Sequence, residues 1–86
     1  MATKLESDIQ AKIIRNLTKK GWYVAKIIQT TKNGWPDLLC LKDGKSVYIE
    51  VKRPGGKPSP LQLLRHREIA ATGHIVHVTD DENFTL

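Results

Sequence analysis

The chain predicts an α/β fold whose elements follow in the order helix, three strands, helix, strand. Apolar residues recur every three or four positions through the first 20 residues, which is typical of a helix with one buried face. Residues 38–52 form two apolar segments around Asp43-Gly44, as a β-hairpin does. Ser59-Pro60 is a typical helix start, with Ser at the N-cap and Pro in the first turn. A length of 86 residues predicts one small domain, 1–86.

The first helix is predicted over Thr3–Lys20. Its start is open by one turn, because Thr3 with Glu6 and Ser7 with Gln10 both fit a capping box. From residue chemistry alone, Glu6 is a cap partner. The apolar stripe of this helix consists of Leu5, Ile9, Ile13, Ile14 and Leu17.

Three strands and two polar loops are predicted next. The first strand covers Trp22–Ile28 and leads into the loop Gln29–Gly34, whose composition is typical of a turn. The hairpin strands cover Leu38–Lys42 and Ser46–Lys52. A flexible basic loop, Arg53–Pro58, is expected directly after them.

The second helix is predicted from Ser59 to Ala71 or Thr72, with Leu61 and Leu64 on its apolar side. The last strand is predicted over His74–Val78. The remaining residues form either a short helix or a tail.

The second hairpin strand ends in a charged pair. Side chains of a strand alternate between faces, so Glu50 and Lys52 lie on one face. The β-branched residues Val47, Ile49 and Val51 lie on the other, which is typical of a buried face. Asp37 begins the preceding strand. Asp37 and Glu50 together offer carboxylate oxygens to a hard divalent cation, with Lys52 beside its water or a phosphate. The alternative is an ordinary Glu/Lys pair on an exposed face, which contributes little to stability.

Pro36-Asp37 followed by Glu50-x-Lys52 resembles the signature of the PD-(D/E)XK nucleases. The more specific resemblance is to the virus-type replication-repair nuclease (VRR-NUC) domains, as a stand-alone, phage-like form. It extends to about Val78. In this chain the five matching elements, in order, are Glu6, Gly34-Trp35-Pro36-Asp37, Glu50-Val51-Lys52, Gly55-Gly56 and Gln62.

The resemblance implies a restriction-endonuclease-like αβββαβ core, in which a central mixed sheet is flanked by helices. It implies an endonuclease that needs Mg²⁺ or Mn²⁺ and leaves a 5′-phosphate. The implied metal ligands are Asp37, Glu50, the Val51 carbonyl and Glu6. The implied catalytic residues are Asp37, Glu50, Lys52, Glu6 and Gln62, although Gln62 without the resemblance is an ordinary surface residue.

Stand-alone members of this family resemble Holliday-junction resolvases, so the resemblance implies a homodimer that cuts four-way DNA junctions. Two cuts on opposing strands need two active sites, and one chain supplies one. Two alternatives stay open. One is a subunit that cuts flaps or nicks within a larger replication-repair machine, and the other is a non-catalytic, basic DNA-binding module.

The charge distribution favours a nucleic-acid partner. The chain carries 14 Lys and Arg against nine Asp and Glu, a net charge of +5. Three of the acids lie in the last seven residues, so residues 1–78 carry 14 basic and six acidic groups, a net charge of +8. Trp35 is expected either to stack on a base or to pack within the domain or a dimer seam. The candidate DNA contacts are Lys26, Lys32, Trp35, Arg53, Lys57 and Arg65.

Several site classes are excluded by composition. A single cysteine, Cys40, rules out an internal disulfide and a cysteine-based zinc site. His74 and His77 fall on opposite faces of a strand and so make no metal pair. His66 is a secondary catalytic candidate, and a position at the surface or facing DNA is the favoured interpretation. We expect no signal peptide, no membrane or nucleotide-cofactor partner, and a cytoplasmic location, in the host cell if the chain is phage-encoded.

Overall fold

The computed structural model describes residues 5–86, and its elements follow the predicted order. The strands form one sheet in the order β1-β2-β3-β4. The first three strands run antiparallel, whereas β4 runs parallel to β3, with the second helix as the crossover between them. The mixed sheet of the prediction is confirmed. The elements are α1 (Glu6–Lys19), β1 (Tyr23–Lys26), β2 (Leu38–Lys42), β3 (Lys45–Val51), α2 (Pro60–Ala71) and β4 (Ile75–Thr79).

The core lies between α1 and one face of the sheet. The period of two in β3 places Ile49 and Val51 on this face, where both are fully buried. Each side chain of that size contributes about 1.5–3 kcal/mol when it is removed from water. The predicted apolar face of β3 is therefore confirmed. The buried cluster consists of Ile9, Ile13, Leu17, Leu38, Cys40, Ile49 and Val51.

The start of α1 differs from the prediction. Leu5 occupies the N-cap position, and its side chain makes no cap hydrogen bond. Ser7 lies within the first turn, so the Ser7–Gln10 capping box is wrong, and Thr3 lies outside the described residues. Gln10 instead lies among the buried residues of α1.

The strand ends differ from the prediction by one or two residues. β1 is shorter than predicted, β3 and β4 each begin and end one position away from it, and Lys52 directly follows β3. The C-terminal residues 80–86 form no helix. They return to the core instead, where Phe84 and Leu86 pack against its buried side chains.

The second helix begins as predicted, but it buries a different face. The Ser59 hydroxyl accepts a hydrogen bond from the backbone N–H of Gln62. The Gln62 side-chain oxygen accepts one from the backbone N–H of Ser59, which completes a capping box. The buried residues of α2 are His66 and Ile69. The leucines predicted for its apolar side, Leu61 and Leu64, are 42% and 40% exposed. The apolar-face prediction for α2 is therefore wrong. No helix among residues 5–86 is long and apolar enough to cross a bilayer.

Candidate active site

Asp37 and Glu50 meet where β2 begins and β3 ends. Leu38 pairs with Ile49, so the next pair in the same register is Asp37 and Glu50. Both side chains fall on the face opposite the α1 core. The Asp37 carboxylate accepts a hydrogen bond from the Val51 amide, with 2.8 Å between Oδ2 and N. The strand pairing and this hydrogen bond hold the Asp37 carboxylate beside the Glu50 carboxylate.

The Glu50 carboxylate is fully buried, which sequence reasoning did not anticipate. Its Oε1 lies 3.1 Å from Nε2 of His66, which α2 places over this strand. Its Oε2 has no hydrogen-bond partner among the described residues, and Nζ of Lys52 lies 4.0 Å away. A buried oxygen without a partner is costly unless it binds something. The carboxylate therefore keeps one atom available for a cation or a donor.

Burial and neighbouring charges shift the pKa values of two groups in this site, Glu50 and His66. Burial, and next the neighbouring Asp37 carboxyl, raise the pKa of Glu50 to about 9, against the opposing charge of Lys52. Burial and the charge of Lys52 lower the pKa of His66. The protein alone therefore favours a neutral Glu50 beside a neutral imidazole. Such perturbed groups concentrate at functional sites.

The donor set fits a small hard cation. Mg²⁺ is usually held by one or two carboxylates and keeps several waters. Asp37 and Glu50 supply such a pair, and the unpartnered Glu50 Oε2 is the atom that a cation would satisfy. Among residues 5–86, no three His, Cys, Asp or Glu side chains form a metal-binding group. Glu6 is therefore not gathered into a three-carboxylate cluster, although its charge is close enough to raise the pKa of Glu50.

Gln62 lies at the start of α2, and its side chain is partly committed. Its carbonyl oxygen accepts from the Ser59 amide at 2.9 Å as part of the capping box. Only the amide nitrogen of that side chain then remains as a donor for a phosphate or a water. The helix N-terminus around it favours an anion.

Comparisons with known proteins identify the family and the fold of the chain. No protein-family model matches the chain. The chain is 35% identical over 81 residues to "Putative nuclease p44" of Acyrthosiphon pisum secondary endosymbiont phage 1, covering 93% of this chain and 87% of that protein. A solved structure described as a VRR_NUC domain matches with a TM-score of 0.78 and 34% identity, over 90% of this chain and 84% of that one. The chain belongs to the VRR-NUC family. Its α/β fold is the restriction-endonuclease-like fold of that family.

A groove in the VRR-NUC domain lies between the end of β1 and the start of β2. It has a volume of about 260 Å³ and is lined by residues 27–30 and 32–35 and by Asp37. Trp35 is half-buried and meets the ring of Tyr48 edge-on, with 5.7 Å between the ring centroids. Trp35 and Lys32 also line a second cavity of about 390 Å³ beside α2. Trp35 thus packs within the domain and still borders the groove.

The predicted DNA contacts differ in how freely they can reach a ligand. Lys26, Lys32, Arg53 and Lys57 are exposed. The loop after β3 is less free than expected, because the Gly55 amide donates to the Asp80 carboxylate at 2.9 Å.

Arg65 is held within the fold. Its Nε donates to the Asn33 carbonyl at 2.7 Å, and its Nη1 contacts Glu68 at 2.9 Å. This guanidinium therefore ties α2 to the loop that precedes Asp37.

The structure corrects the predicted position of His66. It was expected at the surface or facing DNA, but it is 9% exposed and contacts Glu50. The physical reason is that α2 turns His66 and Ile69 inward and leaves the leucines of its predicted apolar side exposed. One signal was present in the sequence: His66 follows Gln62 by four residues, so both lie on one helix face.

Proposed function

We propose that this VRR-NUC domain is a metal-dependent endonuclease that hydrolyses phosphodiester bonds in DNA. The observation that carries the proposal is the buried Glu50 carboxylate, which lies beside Asp37 and Lys52 and whose Oε2 has no hydrogen-bond partner among residues 5–86. In a domain that only binds DNA, a carboxylate buried beneath exposed basic side chains would not strengthen the binding of phosphates. The names of the matched phage protein and of the matched VRR_NUC structure support the same chemistry.

Asp37 and Glu50 are the proposed ligands of Mg²⁺ or Mn²⁺, together with the Val51 carbonyl and waters. The bound cation supplies positive charge to the phosphate and lowers the pKa of a coordinated water. Glu6 is assigned to the outer margin of this site, where its charge reaches Glu50. The Gln62 amide nitrogen is the donor assigned to the phosphate or the attacking water.

Lys52 is the proposed catalytic base or positioning group for the attacking water. Its side chain is 13% exposed, and Nζ lies 4.0 Å from Glu50 Oε2. An ammonium held at this point also stabilises the negative charge that develops on the phosphorus oxygens. The expected product carries a 5′-phosphate.

DNA is the proposed partner, held by the exposed basic side chains around the site. The net charge of +5 draws a polyanion, and the salt dependence of binding should reflect the number of phosphates contacted. Lys26, Lys32, Arg53 and Lys57 are the assigned backbone contacts, and Trp35 is assigned to a base or a sugar at the groove. Arg65 contributes by holding the groove loop rather than by direct contact.

A four-way junction is the proposed substrate and a homodimer the proposed working form. Opposed cuts on two strands require two sites, and α2 exposes an apolar surface that suits a second copy. Its leucines Leu61, Leu63 and Leu64 are each at least 40% exposed. A flap- or nick-directed subunit is the second candidate, because the same site chemistry serves either DNA structure.

The test is cleavage of labelled four-way junction, flap and linear duplex DNA with Mg²⁺, Mn²⁺ or EDTA. Junction cleavage that EDTA abolishes supports the resolvase-like proposal. Cleavage of flaps alone keeps the chemistry and overturns the junction assignment. Tight binding with no cleavage in any metal overturns the enzyme and leaves the DNA-binding module.

A further inference from the structure

His66 contacts Glu50 in a way that leaves one carboxylate oxygen engaged and the other available. The 3.1 Å approach joins Nε2 to Oε1, while Oε2 has no hydrogen-bond partner within residues 5–86 and lies 4.0 Å from the Lys52 ammonium. Both side chains are buried, so water does not replace this contact. The two oxygens of Glu50 are thus divided between α2 and the site.

The direction of this hydrogen bond follows from chemistry. An ionised carboxylate only accepts, so Nε2 of His66 carries the proton when Glu50 is ionised. The imidazole is held over the strand because His66 and Ile69 form the buried face of α2. The capping box at Ser59 fixes where that helix starts, and His66 lies in its second turn.

We propose that His66 is a positioning residue that holds Glu50 Oε1, so that Glu50 offers a single oriented oxygen, Oε2, to the divalent cation. This inference rests on the proposed metal-dependent function. Carboxylates that bind metals are usually held by such outer hydrogen bonds, and loss of one typically weakens metal affinity about 10–100-fold. His66 touches neither DNA nor the cation in this assignment.

The test is direct Mn²⁺ binding to the full chain without DNA, measured by calorimetry or by the electron paramagnetic resonance signal of free Mn²⁺. His66→Leu removes the donor and should weaken Mn²⁺ binding by about 10-fold or more. His66→Gln keeps an N–H at a similar reach and should stay within about three-fold of wild type. His66→Asn keeps the amide but is too short, so it should behave like the leucine variant.

The Gln and Asn variants keep the proposal falsifiable if His66→Leu does not fold, because they differ only in reach. His74→Leu is the matched control, since His74 is exposed and bonded to Thr72. The His74→Leu variant should leave the Mn²⁺ affinity unchanged. A cooperative unfolding transition in EDTA shows that each variant is folded at the start.

The outcomes separate the inference from the function on which it rests. If the wild type binds Mn²⁺ and the His66→Leu and His66→Asn variants bind it with equal affinity, the positioning role of His66 is overturned. Weak binding by the Gln variant also overturns it, because the donor is then not what matters. Absence of Mn²⁺ binding by the wild type contradicts the proposed function itself.

Discussion

Glu50 should make the metal-free protein less stable than it would be with a neutral side chain. Its pKa rises from 4.5 to about 9 on folding, chiefly through burial. Between these values the folded protein holds a proton that the unfolded chain has lost, so the free energy of unfolding falls as pH rises. At pH 7, about 2.5 units above the unfolded value, the cost is on the order of 3 kcal/mol. Glu50→Gln removes this titration and should be more stable by that amount.

The assay is urea unfolding in EDTA at pH 5, 6, 7 and 8, at one protein concentration. The difference between Glu50→Gln and wild type should be small at pH 5 and grow toward pH 8. Glu68→Gln is the control, because Glu68 is 51% exposed in a surface pair with Arg65 and should change stability by less than about 1 kcal/mol. Adding Mn²⁺ should stabilise wild type and not Glu50→Gln. Equal stability of the Glu50→Gln variant and wild type at every pH would refute the reasoning.

Three further outcomes follow from single positions. Gly34→Ala should cost more than about 2 kcal/mol of unfolding free energy, because its φ is +84° and a Cβ would lie 3.0 Å from Leu61; Gly55→Ala, at φ +78° in open space, should cost only about 1 kcal/mol. Cys40 is fully buried and its thiol pKa is raised to about 11, so iodoacetamide at pH 8 should label it at least about 100-fold more slowly in the folded protein than in urea. Ser59→Ala should cost about 1 kcal/mol by loss of the α2 cap, measured by urea unfolding.

The order of elements was predictable because its signals are local. The stripe of α1, the Asp43-Gly44 turn and the Ser59-Pro60 start each depend on residues within a few positions of one another. Asp37 and Glu50 were predicted as neighbours for the same reason, since a hairpin register follows from its turn.

The surroundings of the site were not predictable in the same way. The sequence does not show that a residue of α2 contacts Glu50. Because the Glu50 carboxylate is buried, the helix turns a polar side chain toward it instead of an apolar one. His66 therefore lies inside, while Leu61 and Leu64 stay exposed. The return of Phe84 to the core likewise depends on a distant surface, which local patterns do not reveal.

The same limit applies to Arg65 and the groove loop. An arginine on a basic helix was a reasonable DNA contact, but its bond to the Asn33 carbonyl spans 32 positions in sequence. Only the fold brings these two groups together. Sequence reasoning therefore predicted the charged site and missed part of what holds it in place.

The most direct test of the site is the single-turnover cleavage rate of labelled branched DNA in Mn²⁺, junction and flap together, for wild type and Lys52→Ala. Removing the ammonium 4.0 Å from Glu50 should slow cleavage by about 100-fold or more, while Lys57→Ala should change the rate by less than about five-fold and mainly weaken binding. EDTA should abolish the wild-type reaction. Cleavage by Lys52→Ala at the wild-type rate, or in EDTA, would contradict the account.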